Sequence, residues 1–399
     1  MLDAFIYDGI RTPFGRFNGG LSSVRPDDLL AAAIKELLVR TGVDAALVED
    51  VVAGCSNQAG EDSRNVARFA GLQAGLPVTT AGLTVNRLCG SALAALIDTS
   101  RAVRCNEGRL FVAGGVESMS RAPLVLSKST QAFDRSQVLA DTTIGPRFTN
   151  KKITEVYGNH SMPQTADNVA AQLGLSREAC DAFAYGSQQK YQQAFERGFF
   201  KEEILPIDVT VGRNKTVTID TDEHPRPETG LEKLAGLRTL FEGGVVTAGN
   251  ASGINDGASA LLIGDQSIQE QFGIRPRARV VSTAVAGVEP RVMGLGPVPA
   301  SRKALERAGL SLADMDVIEI NEAFAAQVLG CVQELGIDPE DPRLNPNGGA
   351  IALGHPLGAS GGRIALTAVR QLEQTGGRYA LVTMCIGVGQ GIAVILERV

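Results

Sequence analysis

Apolar positions along this chain repeat in two alternating rhythms. Between Asp28 and Arg40, the residues Leu29, Leu30, Ala33, Ile34, Leu37 and Leu38 recur at three- and four-residue steps. That spacing predicts a helix with one buried face, and Gly42 supplies its stop. Val48-Glu-Asp-Val-Val-Ala-Gly then leads into a strand. The same order returns much later: a helical pattern at Ala300–Ala308, a stop at Gly309, and Met315-Asp-Val-Ile-Glu-Ile-Asn leading into a strand. Both stops read Arg-x-Gly, and an aspartate precedes both apolar runs. A second correspondence follows. After Cys89 comes an apolar helical segment (Leu93, Ala94, Leu96, Ile97, Val103) and the strand Arg109-Leu-Phe-Val-Ala-Gly. After His355 comes another (Ile364, Ala365, Ala368, Val369, Leu372) and the strand Arg378-Tyr-Ala-Leu-Val-Thr-Met. Alternating strands and helices in both halves predict two α/β units with sheets covered by helices. Internal duplication accounts for both correspondences in the same order; chance likeness is the competing reading.

Between the halves, from about Ser120 to Phe241, the pattern changes. This region is charged, with helical segments at Gln164–Leu173 and Arg177–Gly198 and the tracts Tyr157-Gly-Asn-His-Ser-Met-Pro and Arg226-Pro-Glu-Thr-Gly. It reads as an insertion that covers a site, or as a plain stabilising excursion. The expected units are residues 1–119 together with 242–270, the insertion 120–241, and residues 271–399.

Composition narrows the class of function. The 399 residues are 44% hydrophobic and 21% charged, ordinary for a soluble globular protein. The net charge is −6 and no basic stripe with interleaved aromatics appears, so nucleic acid is not an expected partner. No run of 18 apolar residues predicts a membrane span. The N-terminus lacks the basic and apolar regions of a signal peptide, and Leu-Glu-Arg-Val at the C-terminus is not a Ser-Lys-Leu address. The six cysteines are all at least 16 positions apart, which gives neither a metal knuckle nor a Cys-x-x-Cys motif. Free thiols in a reducing cytoplasm are the expectation. With three histidines in all, no metal site is expected.

The candidate chemistry lies in glycine-bordered turns. Cys89 follows the apolar Gly82-Leu-Thr-Val and opens a helix, where the macrodipole and free N–H groups lower a thiol pKa and favour thiolate. An inert buried cysteine is the alternative. His355 sits in Gly354-His-Pro-Leu-Gly, held out of helical geometry by Pro356, and is either a base for a thiol or a structural histidine. Cys385 ends an apolar strand and enters Gly387-Val-Gly-Gln-Gly. That run is not a dinucleotide fingerprint and no Gly-Lys pair marks a P-loop. Its glycines can present backbone N–H groups as an oxyanion hole. Asn321-Glu-Ala-Phe follows another strand, so these features collect at strand ends, where open α/β sheets place their sites.

These tracts, with Asn86-Arg-Leu-Cys-Gly-Ser, Gly114-Gly-Val-Glu-Ser-Met-Ser, Thr247-Ala-Gly-Asn-Ala-Ser-Gly-Ile-Asn-Asp-Gly-Ala and Asn347-Gly-Gly-Ala-Ile-Ala-Leu-Gly-His-Pro-Leu-Gly-Ala-Ser-Gly, resemble the thiolases in order and spacing over nearly the whole chain. The resemblance implies the thiolase fold: two duplicated βαβαβαββ halves layered α-β-α-β-α, with an inserted loop domain. It implies that Cys89 accepts the acyl group, that His355 takes its proton, and that Cys385 moves the α-proton of the second thioester. Asn321, through a water, and His355 would stabilise the enolate oxygen; the N–H groups of Cys89 and Gly387 would hold the tetrahedral oxyanion. Ser252, Met162 and Arg226 would contact coenzyme A, a co-substrate, with no cofactor permanently bound. Acyl-CoA and CoA are thus the implied partners, and the family suggests a homotetramer. Ala92 stands where the family often has glycine and bears on how the nucleophile turn packs.

Four further tracts, Asp141-Thr-Thr-Ile-Gly-Pro-Arg-Phe, Ser161-Met-Pro-Gln-Thr-Ala-Asp-Asn-Val-Ala, Asp222-Glu-His-Pro-Arg-Pro-Glu-Thr and Gly287-Val-Glu-Pro-Arg-Val-Met-Gly-Leu-Gly-Pro-Val-Pro, are similar to the 3-oxoadipyl-CoA thiolases of bacterial aromatic-compound breakdown. That likeness implies cleavage of 3-oxoadipyl-CoA with CoA into succinyl-CoA and acetyl-CoA. Arg147 is the candidate cation for the substrate carboxylate, with a surface or structural ion pair as the other reading. An acetoacetyl-CoA or general fatty-acid 3-ketoacyl-CoA thiolase is the nearest alternative. A non-catalytic acyl-CoA binding protein, a Cys hydrolase and a decarboxylating ketosynthase are the alternatives of other classes.

Overall fold

Pro26 in the first turn and Gly42 at φ 63° bound the first helix, and Asp27 and Asp28 complement its N-terminal dipole. The later helix at Pro297–Ala308 repeats the device, with prolines in its first turn and Gly309 at φ 65°. The computed structural model describes residues 2–213 and 215–399. Its first half runs β1 (Phe5–Arg11), β2 (Gly15–Arg16), α1 (Pro26–Thr41), β3 (Val48–Gly54), α2 (Val66–Gln73), β4 (Ala81–Val85), α3 (Ser91–Arg104) and β5 (Leu110–Ser118). An excursion follows: β6 (Leu124–Leu126), β7 (Leu139–Asp141), α4 (Lys151–Tyr157), α5 (Met162–Leu173), α6 (Arg177–Glu196), β8 (Ile207–Val211), β9 (Lys215–Ile219) and α7 (Leu231–Ala235). Then β10 (Asn255–Gly264) rejoins the first half and α8 (Ser267–Phe272) leads out of it. The second half is β11 (Ala278–Gly287), α9 (Pro297–Ala308), β12 (Val317–Ile320), α10 (Ala325–Leu335), α11 (Ala350–Leu353), α12 (Leu357–Thr375), β13 (Tyr379–Ile386) and β14 (Gln390–Arg398).

The strand order exposes the duplication. The main sheet reads β12-β13-β14-β11-β1-β10-β5-β3-β4. Outward from the centre, β1-β10-β5-β3-β4 mirrors β11-β14-β13-β12. The missing fifth strand of the second half survives as a parallel bridge from Leu344 to Ile318. The outer pairs β3–β4, β3–β5 and β12–β13 are parallel, and the inner ones antiparallel. The two halves meet where Phe5 pairs Arg279 and Ile6 pairs Ala278.

Helices α3 and α12 pack against each other between the two half-sheets, α12 on β5 and β10 on one side and on β12 and β13 on the other. A helix covered all round is mostly apolar or small, and Gly358 to Arg370 of α12 is buried without a break, with Arg363 and Arg370 as its charged exceptions. Full burial of Leu93, Leu96, Ile364 and Leu366 contributes roughly 1.5–3 kcal/mol each. Small residues set the spacing: a Cβ at Gly54 would lie 2.6 Å from the Ala92 nitrogen, and one at Gly361 2.5 Å from the Leu93 nitrogen. The Ala92 methyl is fully buried and faces Gly362, where even a Cβ would stand 3.8 Å away. The extra methyl is therefore accommodated. Helices α1 and α2 cover the outer face of the first half and α9 that of the second, which completes the α-β-α-β-α layering.

Candidate active site

The turn carrying Cys89 is caged by its own side chains. Asn86 Oδ1 accepts from the Leu88 N–H at 2.9 Å. Ser91 Oγ accepts from the Arg87 N–H at 2.9 Å and donates to the Leu88 carbonyl at 2.6 Å. Within that cage Leu88 is held at φ 47°, a left-handed conformation costly for a branched residue. Cys89 follows it, half-buried and just ahead of α3.

Opposite lies the β13–β14 hairpin. Cys385 is buried one residue before the end of β13, paired with Gly391. The connecting Gly387-Val388-Gly389 places Val388 at φ 65° and Gly389 at φ 80°. A β-branched residue at positive φ stores strain, here in the turn that aims Gly387. The Gly387 N–H points at the Cys89 thiol, and the two cysteines are close enough for a charge on one to oppose a charge on the other.

His355 enters from the turn before α12. Its backbone N–H donates to Asn255 Oδ1 at 2.9 Å, and Asn255 Nδ2 donates to the Gly15 carbonyl at 2.9 Å. Ser360 Oγ lies 2.7 Å from His355 Nδ1 and donates its single proton to the Pro356 carbonyl at 2.9 Å. It can then only accept from the ring, so Nδ1 carries the proton and Nε2 the lone pair. Asn321 Nδ2 faces Nε2 at 3.4 Å, consistent with the same tautomer. Asn321 is fixed by its N–H to the Thr383 carbonyl at 3.0 Å. Its neighbour Glu322 accepts from Ser187 Oγ at 2.7 Å, Asn345 Nδ2 at 2.8 Å and the Ile351 N–H at 3.2 Å. Glu117 ties the other side: it accepts from the N–H groups of Ser56, Asn57 and Gly358 and from Ser56 Oγ.

The excursion closes over this floor. The capping box of Ser161 and Gln164 starts α5, so that a Cβ at Gly387 would lie 3.6 Å from Met162 Sδ. Met162, Met293, Ala323, Phe324, Ile351 and Cys385 belong to one apolar cluster. The loop of Ser252 pairs with the Asn321 loop, through the Ser252 N–H to the Ala323 carbonyl at 2.9 Å and an Ala251–Phe324 bridge. Exposed Arg226 spends one nitrogen on the carbonyls of Glu223, His224 and Pro225. Arg147 lies half-buried in the loop between β7 and α4, with no hydrogen bond or ion pair to another described residue.

Electrostatics correct one expectation. Cys89 was expected to favour thiolate, but burial pushes its thiol up to about 11, against the pull of the Gly387 and Cys89 N–H groups. Burial pushes Cys385 well above the ordinary thiol range, reinforced by Cys89 and Cys331. Burial also lowers His355 to about 3, helped by the positive charge of Arg363. The resting site therefore holds two thiols and a neutral imidazole with a free Nε2, so proton transfer must accompany attack. The sequence reading gave no role to Ser360, Asn255, Glu117, Met293 or Phe324. All five lie inside tracts singled out above, but their side-chain partners are set by contacts distant in sequence.

The described residues include no group of three or more His, Cys, Asp or Glu able to hold a metal, and no helix long and apolar enough to cross a membrane. Two family models, the thiolase N-terminal domain and the thiolase C-terminal domain, match residues 4–267 and 274–398. The chain belongs to the thiolase family. This thiolase is 58% identical to the beta-ketoadipyl-CoA thiolase of Escherichia coli, with all of both chains covered. It is 55% identical to the protein of the same name from Pseudomonas aeruginosa, over 100% of this chain and 99% of the relative. Among solved structures it superposes on human mitochondrial 3-ketoacyl-CoA thiolase with a TM-score of 0.93 at 40% identity, covering 100% of this chain and 99% of that one. The Bacillus anthracis acetyl-CoA acetyltransferase gives 0.92 at 36% identity with the same coverage. The human enzyme is also similar as its complex with CoA. The thiolase fold and the acyltransferase class are thereby established.

Proposed function

We propose that this thiolase cleaves 3-oxoadipyl-CoA with CoA to succinyl-CoA and acetyl-CoA, in aromatic-compound degradation. The observation that carries the chemistry is the pairing of two thiols beside a buried histidine whose Nδ1 lies 2.7 Å from Ser360 Oγ, an arrangement that leaves Nε2 to accept a proton. His355 Nε2 takes the proton of Cys89 as the sulfur attacks the 3-keto carbon. The N–H groups of Cys89 and Gly387 hold the resulting oxyanion. The bond between C2 and C3 then breaks, its electron pair passing into the acetyl-CoA enolate, whose oxygen is held by His355 and an Asn321-bound water. Cys385 donates the proton to C2, and the proton that His355 took from Cys89 passes to the Cys385 thiolate, which leaves that thiol restored and the imidazole neutral again. The succinyl group stays on Cys89 until the CoA thiol, deprotonated at the same histidine, displaces it and restores the Cys89 thiol.

The substrate follows from full-length identity to relatives named for beta-ketoadipyl-CoA. In this reading Met162, Ser252 and Arg226 contact CoA, and residues 120–241 form a covering unit between halves 1–119 with 242–270 and 271–399. Arg147 receives the distal carboxylate. We further assign a cytoplasmic homotetramer. Association of copies is supported by exposed apolar surface on the edge strand β4 (Leu83) and on the β6–β7 hairpin (Leu124, Leu126, Leu139). The test is CoA-dependent cleavage of 3-oxoadipyl-CoA beside acetoacetyl-CoA and a long-chain 3-oxoacyl-CoA. A preference in kcat/KM for the dicarboxylic substrate is expected; equal or better turnover of the others would overturn the substrate. Arg147→Ala should weaken that preference, and an unchanged ratio would remove Arg147 from the site.

A further inference from the structure

Behind the His355–Asn321 couple stands a second pair with no part in the chemistry above. Arg363 and Glu319 are 0% and 1% exposed in their side chains, with Nη1 and Oε2 3.7 Å apart. Their positions follow from register. Glu319 precedes Asn321 by two residues at the end of β12, so the two side chains leave on one face. Arg363 follows Ser360 by three residues in α12, so these two share one helix face. Both pairs therefore span the same gap between β12 and the His355–α12 segment, one at 3.4 Å and the other at 3.7 Å.

This second pair is not a well-made salt bridge. Arg363 Nε, Nη1 and Nη2 and Glu319 Oε1 hydrogen-bond to no described residue. The other fully buried arginine, Arg11, uses the same three nitrogens on Glu203 and Asp222 at 2.6–2.9 Å. Burial pushes the Glu319 carboxyl up to about 8 and pulls the Arg363 guanidinium down, and a buried pair with so few hydrogen bonds recovers little of its desolvation cost, so stability is a poor account of it. A fixed charge at this place does act on its neighbours. The groups that face the pair are Glu322 beside Asn321, Lys190 from α6, Arg11 from β1, Glu203, and His355 itself. His355 is the one among them that must take up and release a proton in each turnover.

We propose that Arg363 and Glu319 are a positioning pair for the reaction: they set the gap between the segment carrying His355 and the strand carrying Asn321, and the guanidinium favours the neutral imidazole that accepts the proton of Cys89. The inference rests on the thiolase role of His355. It assigns Arg363 an electrostatic duty that a neutral side chain of equal volume cannot perform, and Glu319 the duty of keeping Arg363 pointed across the gap.

The experiment compares Arg363→Met/Glu319→Gln, which removes both charges and leaves no lone buried ion, with Arg363→Lys, which keeps the charge on a different head group. Thiolysis of the thioester that the wild type cleaves fastest is followed from pH 4 to 9, and the His355 ring is titrated by NMR from pH 2 to 7, a window that spans its value of about 3, with the fold checked at each pH. The double variant should lose about tenfold or more in kcat with little change in KM, and its His355 titration should move up by about one pH unit. Arg363→Lys should lower kcat while leaving that titration in place. A folded double variant with wild-type kcat would overturn the proposal. So would a fall in kcat with an unmoved titration, because a purely structural pair would behave in that way. If the double variant does not fold, an Arg363→Lys enzyme with wild-type kcat, or with a His355 titration moved upward, is the refuting result. Failure of the thiolase role would show separately, as absent acylation of Cys89 by acetyl-CoA in the wild type.

Discussion

Ser360→Ala tests the least visible part of the site. Ser360 Oγ is the acceptor that keeps the His355 proton on Nδ1 and leaves Nε2 free. In the variant the buried Nδ1–H loses that acceptor. An orphaned buried donor costs about 1–3 kcal/mol. The ring can avoid this only by moving its proton to Nε2, the nitrogen that must accept from Cys89. Either response raises the barrier to acylation by about the same energy, which corresponds to roughly 5- to 150-fold in kcat/KM. The assay is rapid-mixing acylation of Cys89 by acetyl-CoA, read by intact mass, beside steady-state thiolysis. Acylation should slow in step with thiolysis while KM for CoA stays within about threefold, because Ser360 is fully buried behind His355. A folded Ser360→Ala enzyme with kcat/KM within about twofold of wild type would refute the assigned tautomer and the mechanism built on it.

The remaining predictions concern the two thiols and the packing beneath them. Cys385→Ala should still acylate on Cys89 from acetyl-CoA but lose cleavage of 3-oxoacyl-CoA by more than about a hundredfold; normal turnover would indicate hydrolase-like chemistry instead. With the Cys89 thiol pushed up to about 11 by burial, inactivation by iodoacetamide should rise about tenfold per pH unit from pH 7 to 10. A plateau below pH 9 would mean that the thiolate forms more readily than the site geometry implies. Gly358→Ala would place a Cβ 2.2 Å from the Val116 carbonyl oxygen and 2.8 Å from that of Gly54. A loss of more than about 3 kcal/mol of stability is expected, measured by thermal or urea unfolding, and a melting temperature within a few degrees of wild type would contradict it.

What the sequence made legible, and what it concealed, divides by range. Helix stops at Gly42 and Gly309, the strands that follow them, and the placing of Cys89, Asn321, His355 and Cys385 at strand ends are local signals. Each is written within a dozen residues. The partners that tune these groups are not local. Asn255 meets His355 across 100 positions, and Glu117 meets Gly358 across 241. Burial is likewise a property of the assembled layers, and it reversed the direction of the Cys89 shift inferred from the helix end alone. Ser360 lay five residues from His355 and was legible in principle, but a serine in the first turn of a helix has many ordinary uses. Arg363 and Glu319 gave no signal, since neither a buried arginine nor its lone carboxylate has a sequence pattern.

Helix α12, buried from Gly358 to Arg370, bears on how the enzyme fails. Its amides should be among the last to exchange with solvent, since opening them means parting both half-sheets. The turn holding His355 hangs from the start of that helix, whereas Met162 and Arg226 belong to the excursion, where many apolar side chains are exposed. Mild heat or a protease should loosen the excursion first. With the CoA contacts proposed for Met162 and Arg226, the enzyme would then pass through a state that has lost its grip on the nucleotide while its thiols and histidine remain assembled, so that loss of CoA affinity precedes loss of Cys89 reactivity.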